Sequence, residues 1–303
     1  MTLRFAVVPL AALLLLSCAP QKRTSVFIDP SLEMLVPPDT TFILGASVDK
    51  IKDTPVYQRL IKNLDVSQLN DFTRKTGVDP RKDLWQVISV SNGKTALFMA
   101  RGKFSTEMEP RLTSEGAQRI GYKGYTLLGN EQGAVLFMNT STAVAGATDQ
   151  LRQLIDRRGQ ATNGLPEALR GEIRGLSPDD EIWAASVGGL SNLGLEAPDN
   201  SNLANAMQVL KGIDALRLGL DVRSGLKAEA EATCDSEKSA KRVHDSLRGL
   251  IGFGRLNTPD NRPDLLQLYD GIKVTQDHTR TDLRAEISPD LVDRFLDLWL
   301  KRR

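Results

Sequence analysis

Two distant stretches of the chain carry one pattern. Val36-Pro37-Pro38-Asp39-Thr40-Thr41-Phe42-Ile43-Leu44-Gly45-Ala46-Ser47-Val48 matches Leu176-Ser177-Pro178-Asp179-Asp180-Glu181-Ile182-Trp183-Ala184-Ala185-Ser186-Val187. Pro-Asp opens both, Ala-Ser-Val closes both, and one gap separates them. A second match, Tyr122-Lys123-Gly124-Tyr125-Thr126-Leu127 with Tyr269-Asp270-Gly271-Ile272-Lys273-Val274, follows in the same order. Internal self-similarity of this kind marks two copies of one supersecondary unit, and 303 residues accommodate two domains of ordinary size.

The local patterns between the matches agree. In the first half Thr41–Val48 is β-prone, and Thr54-Pro55 opens a helix with a capping threonine and a proline at its first position. Leu84–Ser91 and Lys94–Arg101 flank Asn92-Gly93, a strong hairpin signal. A helix over Ser105–Glu115 follows. Tyr125–Leu128, Ala134–Asn139 and Ala143–Gly146 then form a meander, and Asp149–Arg157 is helical with Leu151, Leu154 and Ile155 on one face. The second half repeats this. Its strands are expected over Glu181–Val187, Ala215–Arg223, Leu226–Cys234, Ile272–Asp277 and Asp282–Ile287. Its helices are expected over Asn202–Gly212, Glu237–Ile251, Pro263–Tyr269 and after Ser288-Pro289. Each unit reads β-α-β-β-α-β-β-α, whose core order is the ferredoxin-like split pattern. The expected fold is therefore α+β: two tandem ferredoxin-like units, residues 36–160 and 161–303, with antiparallel sheets and helices on one face. The breaker-rich stretch Gly159–Pro166 marks the boundary. Whether the two sheets join is left open by pattern.

The N-terminus says where such a chain resides. Arg4 precedes an uncharged apolar run, Phe5–Leu16. This is far short of the ~20 residues a spanning helix needs and has the size of a signal-peptide core. Leu15-Leu16-Ser17-Cys18 then resembles the bacterial lipobox. That resemblance implies a leader over residues 1–17, a diacylglyceryl thioether on Cys18, cleavage before it, and two or three acyl chains, enough for durable attachment. Ala19, not aspartate, follows the cysteine, which by analogy with Gram-negative sorting implies the outer membrane, with the body facing the periplasm. Residues 18–35 are assigned to the lipidated cysteine and tether, the polar stretch Ala19–Ser25 being its flexible part. The opening of the folded part, LVPPDTTFILGASVDKIKDTPVYQRL, is similar to segments of uncharacterised exported bacterial proteins, a resemblance that carries no activity.

Chemistry is sparse. Thirty-nine Lys and Arg stand against 38 Asp and Glu, so no long-range field invites nucleic acid. Two histidines and two cysteines rule out most multi-His or multi-Cys metal sites, and no metal or cofactor is expected. With Cys18 acylated, Cys234 is left as a small apolar core residue. His244 reads as a flanking surface residue and His278 as a solvated turn, with adjacency to Asp277 arguing against contact if both lie in a strand. Gly252-Phe253-Gly254 is explained by helix capping, Ala197–Asn202 by a turn, and Asp179-Asp180-Glu181 by a solvated edge. No P-loop, nucleophile elbow or dinucleotide fingerprint is present. No catalytic residue is assigned, and the one site residue is Cys18, the lipidation point.

The expected function is that of a lipid-anchored envelope protein with a non-catalytic binding or scaffolding role, its partners being membrane lipid through Cys18 and a protein or small apolar ligand. The alternatives are a periplasmic hydrolase using Asp/Glu carboxylates and a solute-binding lipoprotein. A grooved apolar patch favours the first, a deep pocket with carboxylates in mutual reach the second, and two lobes crossed by hinge strands the third. Cys18→Ala is expected to abolish metabolic palmitate labelling and move the protein out of the membrane fraction; unchanged labelling would contradict the lipobox reading.

Overall fold

The computed structural model describes residues 24–63, 66–158, 164–189 and 211–300. Cys18, the turn expected over 197–202 and all but the last two residues of the helix expected over 202–212 lie outside them.

Twelve strands form one sheet. Those of the first half are β1 (Phe42–Ala46), β2 (Leu84–Ser91), β3 (Ala96–Gly102), β4 (Gln118–Tyr122), β5 (Tyr125–Gly129), β6 (Ala134–Asn139) and β7 (Thr142–Gly146). Those of the second are β8 (Ile182–Val187), β9 (Ile213–Asp221), β10 (Leu226–Cys234), β11 (Ile272–Asp277) and β12 (Arg280–Ile287). Their order is β11-β12-β10-β9-β8-β1-β2-β3-β7-β6-β5-β4. The halves are thus joined edge to edge by β1 and β8, the two strands of the first sequence match, in antiparallel register from Phe42↔Ser186 to Ala46↔Ile182.

Around this seam the halves mirror each other: β1-β2-β3-β7-β6 on one side answers β8-β9-β10-β12-β11 on the other. The ferredoxin-like order is not found. A split βαβ unit needs parallel strands, yet every pairing here is antiparallel and β1, β2 and β3 are consecutive neighbours. The free edge of β1 is occupied by the other half instead of by a strand of its own unit. The second sequence match is also displaced. Tyr122-Lys123-Gly124 makes the β4–β5 turn, with Lys123 and Gly124 at positive φ, whereas Gly271 leads into β11, which takes the place of β6. β4, which the sequence reading passed over, pairs with β5 and makes the β4–β5 hairpin an addition peculiar to the first half.

The Asn92-Gly93 hairpin forms with a four-residue loop. Asn92 Oδ1 accepts from the amides of Lys94 and Thr95 at 3.0 Å each, and Gly93 takes φ 84°.

Helices cover both faces, not one, because the strands are apolar on both parities. On the first face Ile43, Ile88, Met99, Val144 and Trp183 pack beneath α1 (Pro30–Glu33), α7 (Thr148–Arg157) and α8 (Glu167–Arg174) through Leu32, Leu151, Leu169 and Ile173. On the second face Ala143 packs with Val78, Phe104 and Met108, the last from α6 (Met108–Ser114). Farther along it, Ala232 and Cys234 pack under Ala240 and Val243 of α9 (Glu237–Leu256), which places Cys234 in a core as expected. Residues 26–35 are part of the fold: Val26, Ile28 and Leu32 are buried. The Gln86 side chain acts as a strand partner for this segment, its Nε2 donating to Phe27 O at 2.5 Å and its Oε1 accepting from Asp29 N at 2.8 Å. Asp29 in turn caps α1 and pairs with Arg101 at 3.0 Å.

At the seam the Trp183 indole lies against Gly45, its register partner, and is 1% exposed. A Cβ on residue 45 would overlap the Cζ2 and Cε2 atoms of the ring. Gly45→Ala is therefore expected to lower the unfolding free energy by about 1–3 kcal/mol. The loss should be smaller in a Trp183→Leu background, as measured by chemical denaturation of the four-member cycle.

Candidate functional site

Cross-strand partners share a face, so the register alone writes out two rows across the sheet. The row Ala145-Phe98-Ser89-Leu44-Ala184-Leu218-Ala230-Leu283 is apolar at all but one position. It lies on the second face. The adjacent row, Val144-Met99-Ile88-Gly45-Trp183-Gly219-Glu229-Arg284, begins apolar and turns charged beyond Gly219. It lies on the first face. Each row generates one concavity.

The first-half part of the apolar row, from Ala145 to Leu44, is the floor of a groove of about 550 Å³ on the second face. Its wall comes from α4 (Ser67–Thr76), Val78, Phe104 and α6. Gly77 ends α4 at φ 77°, the left-handed cap that glycine adopts without strain, and the turn drops Val78 into the core. Three side chains here remain unusually open for their size: Leu44 at 41%, Phe72 at 46% and Phe98 at 60%. Among the described residues no charged side chain lines the groove, and its polar ones are Thr76 and Ser89. The Thr76 hydroxyl is already engaged, donating to Phe72 O and accepting from Val78 N. Such a volume lies within the range of small-ligand sites, and the lining offers dispersion and water exclusion, with little to orient a polar group.

The charged row floors a smaller cleft of about 140 Å³ on the first face, lined by Asp180, Glu229, Glu231 and Asp282 with Arg217 and Arg284. Arg217 bridges Glu231 and, at 3.7 Å, Glu172. Asp180 is buried and accepts from Ser177 N at 2.9 Å. Burial, with repulsion from Glu229, Asp221 and Glu181, pushes its carboxyl up to about 6. Its neighbour Glu181 is fully buried, accepts from Val222 N at 2.9 Å and lies 3.4 Å from Arg223. The run Asp179-Asp180-Glu181 is therefore not a solvated edge. Two of its three carboxylates are drawn inside to satisfy backbone amides, with only Asp179 left exposed.

The histidines lie apart from both concavities. His244 Nδ1 is 2.9 Å from Asp245. His278 sits at φ 49° in the β11–β12 turn with Nδ1 3.2 Å from Glu237 and Nε2 3.8 Å from Asp277. The strand argument against that last contact fails because the residue is in a left-handed turn, where neighbours need not diverge. Cys234 is free and buried, and burial raises its thiol above the usual value. Among the described residues no group of three or more His, Cys, Asp or Glu is placed to hold a metal ion, and no helix is long and apolar enough to cross a membrane. Sequence reasoning missed the groove. Its one local signal was the adjacency of Phe98 and Met99 in a strand, which implies apolar demand on both faces.

No family model and no curated protein matches the chain. Its fold is similar to that of TP0453. With crystal form IV of that protein the identity is 11% and the TM-score 0.51, covering 89% of this chain and 97% of the other. With crystal form III the values are 13%, 0.50, 88% and 97%. The likeness is one of fold.

Asp180 makes stability pH-dependent in a definite direction. Between about pH 4 and pH 6 the folded chain keeps a proton that the unfolded chain has released, so stability falls as pH rises through that window and stays lower above it. Asp180→Asn is expected to match the wild type at pH 4 and to exceed it at pH 7, by at most roughly 2–3 kcal/mol. Urea titrations across that range measure the difference.

Proposed function

We propose that the chain is a lipid-anchored protein of the bacterial cell envelope, held by acylated Cys18 at the outer membrane with its body in the periplasm. Its work is the non-catalytic binding of an apolar ligand in the groove over Phe98. The groove carries this reading. A soluble body would gain stability by closing such a surface, yet Leu44, Phe72 and Phe98 stand open along a concavity without a charge. Each CH₂ a ligand buries there contributes about 0.8 kcal/mol, so affinity scales with hydrocarbon length, with few polar contacts to restrict headgroup chemistry.

The other readings have specific difficulties. A carboxylate hydrolase would draw on the Asp180 cleft, where Arg217 already engages Glu231 and Glu172. Solute capture would draw on two lobes, whereas one sheet runs through both halves.

Titration of the full protein with a fluorescent fatty acid tests the groove. Saturable binding is expected. Phe98→Glu should weaken it at least about tenfold, the equivalent of ~1.4 kcal/mol, while changing the melting temperature little, since this side chain is more than half exposed. Equal affinity in the variant would remove the groove as the site.

A further inference from the structure

The chain leaves the fold toward Cys18 at a fixed place. Gln86 clasps the backbone at Phe27 and Asp29, and Asp29 is locked to Arg101, so the last described residue, Thr24, lies against the first face beside α8. Six residue steps separate Cys18 from Thr24, a reach of about 20 Å at full extension. Acylation of Cys18, on which this inference rests, therefore holds the surface around Thr24 at the bilayer.

That surface has a membrane-facing chemistry. Hollows flank α1 on both sides. Arg170 and Arg174 line one together with Thr24–Ile28, and Arg157 and Arg158 line the other together with Met34. Between the two pairs of cations Phe27 is 39% and Met34 68% exposed. Lys22 and Arg23 precede Thr24 in the sequence. Glu33 and Glu167 offset part of this charge through ion pairs to Arg170 at 2.5 and 3.4 Å, and Glu167 also pairs with Arg174 at 3.1 Å. Among the described residues lining the two hollows or paired with them, four arginines stand against Glu33 and Glu167, on a chain whose total charge is only +1.

We propose that the surface around α1 docks on anionic phospholipid headgroups, with Phe27 and Met34 entering the interface between the arginines. Anionic lipid attracts basic side chains only within a Debye length of the membrane, and the short span from Cys18 to Thr24 keeps these arginines in reach of that range. The docked first face leaves the apolar groove, on the second face, turned away from the anchoring leaflet.

The full acylated protein tests this in vesicles of phosphatidylcholine, alone or mixed with phosphatidylglycerol, that carry a lipid-borne quencher. One variant bears a fluorophore at Met34→Cys. Another bears it at Thr275→Cys, on the edge strand β11 six strands from β2, about 29 Å away. Position 34 should be quenched several-fold more on the anionic vesicles than on the neutral ones, and position 275 on neither. High salt, or Arg158→Gln with Arg174→Gln, should remove the anionic increment, each arginine accounting for up to about fivefold in docking. Flotation with both vesicle types but equal quenching at position 34, or an increment that survives the double substitution, would overturn the docking face alone. Failure to float with phosphatidylcholine would overturn the acylation itself, and this inference with it.

Discussion

The antiparallel pairing of β1 with β8 is the contact on which the rest of the structure depends. Each strand ends a half-sheet, and an unpaired edge of five or six residues in mid-molecule would expose a row of backbone donors and acceptors. Pairing them satisfies both edges at once and turns two repeats into one twelve-stranded sheet. The approach is close because Gly45 has no side chain to hold off Trp183, which closes the first face over the seam. The indole does so with its Nε1 buried and without a partner, a cost accepted for the area it covers.

From that seam the two faces diverge. On the first face, the two helices between β7 and β8 and the N-terminal segment cover the apolar half. Beyond Gly219 the same face becomes an ion-paired surface, where Arg217 gathers Glu172 and Glu231. On the second face, helices cover the two ends, at Phe104 and Met108 on one side and at Ala240 and Val243 on the other, and the middle stays open. The groove runs beside the first of these covers, walled by Phe72, Phe104 and Met108 on the first half of the sheet. Arg59 of the first half pairs with Asp293 and Asp297 of the second, and Phe98 and Leu44 remain exposed.

What the sequence made legible was local. Asn92-Gly93 announced its hairpin, the Leu151/Leu154/Ile155 stripe its helix, and the alternation up to Cys234 a buried thiol. The two stretches of the Ala-Ser-Val match became β1 and β8. Their pairing was not legible, since nothing in either strand specifies what lies at its edge. The one-faced arrangement failed for a related reason. Periodicity shows that a strand has an apolar face, but in Ala96-Leu97-Phe98-Met99-Ala100 both parities are apolar, and only the fold shows which is covered. Asp180 and Glu181 read as surface because their partners, the Ser177 and Val222 amides, are set by tertiary geometry. The groove gathers Leu44, Phe72, Phe98 and Phe137 from across the first half, a juxtaposition no local window contains.

Pairing of β1 with β8 makes the two halves one cooperative sheet closed at the seam. Native-state hydrogen exchange on the amides of residues 42–46 and 182–187 measures it most directly. Amides that bond across β1 and β8 are expected to exchange only through global unfolding, with the same free energy and denaturant dependence as amides of the β2–β3 and β9–β10 pairs. Exchange at the seam through a lower-energy opening, with both flanking pairs still protected, would show two separate domains and contradict it.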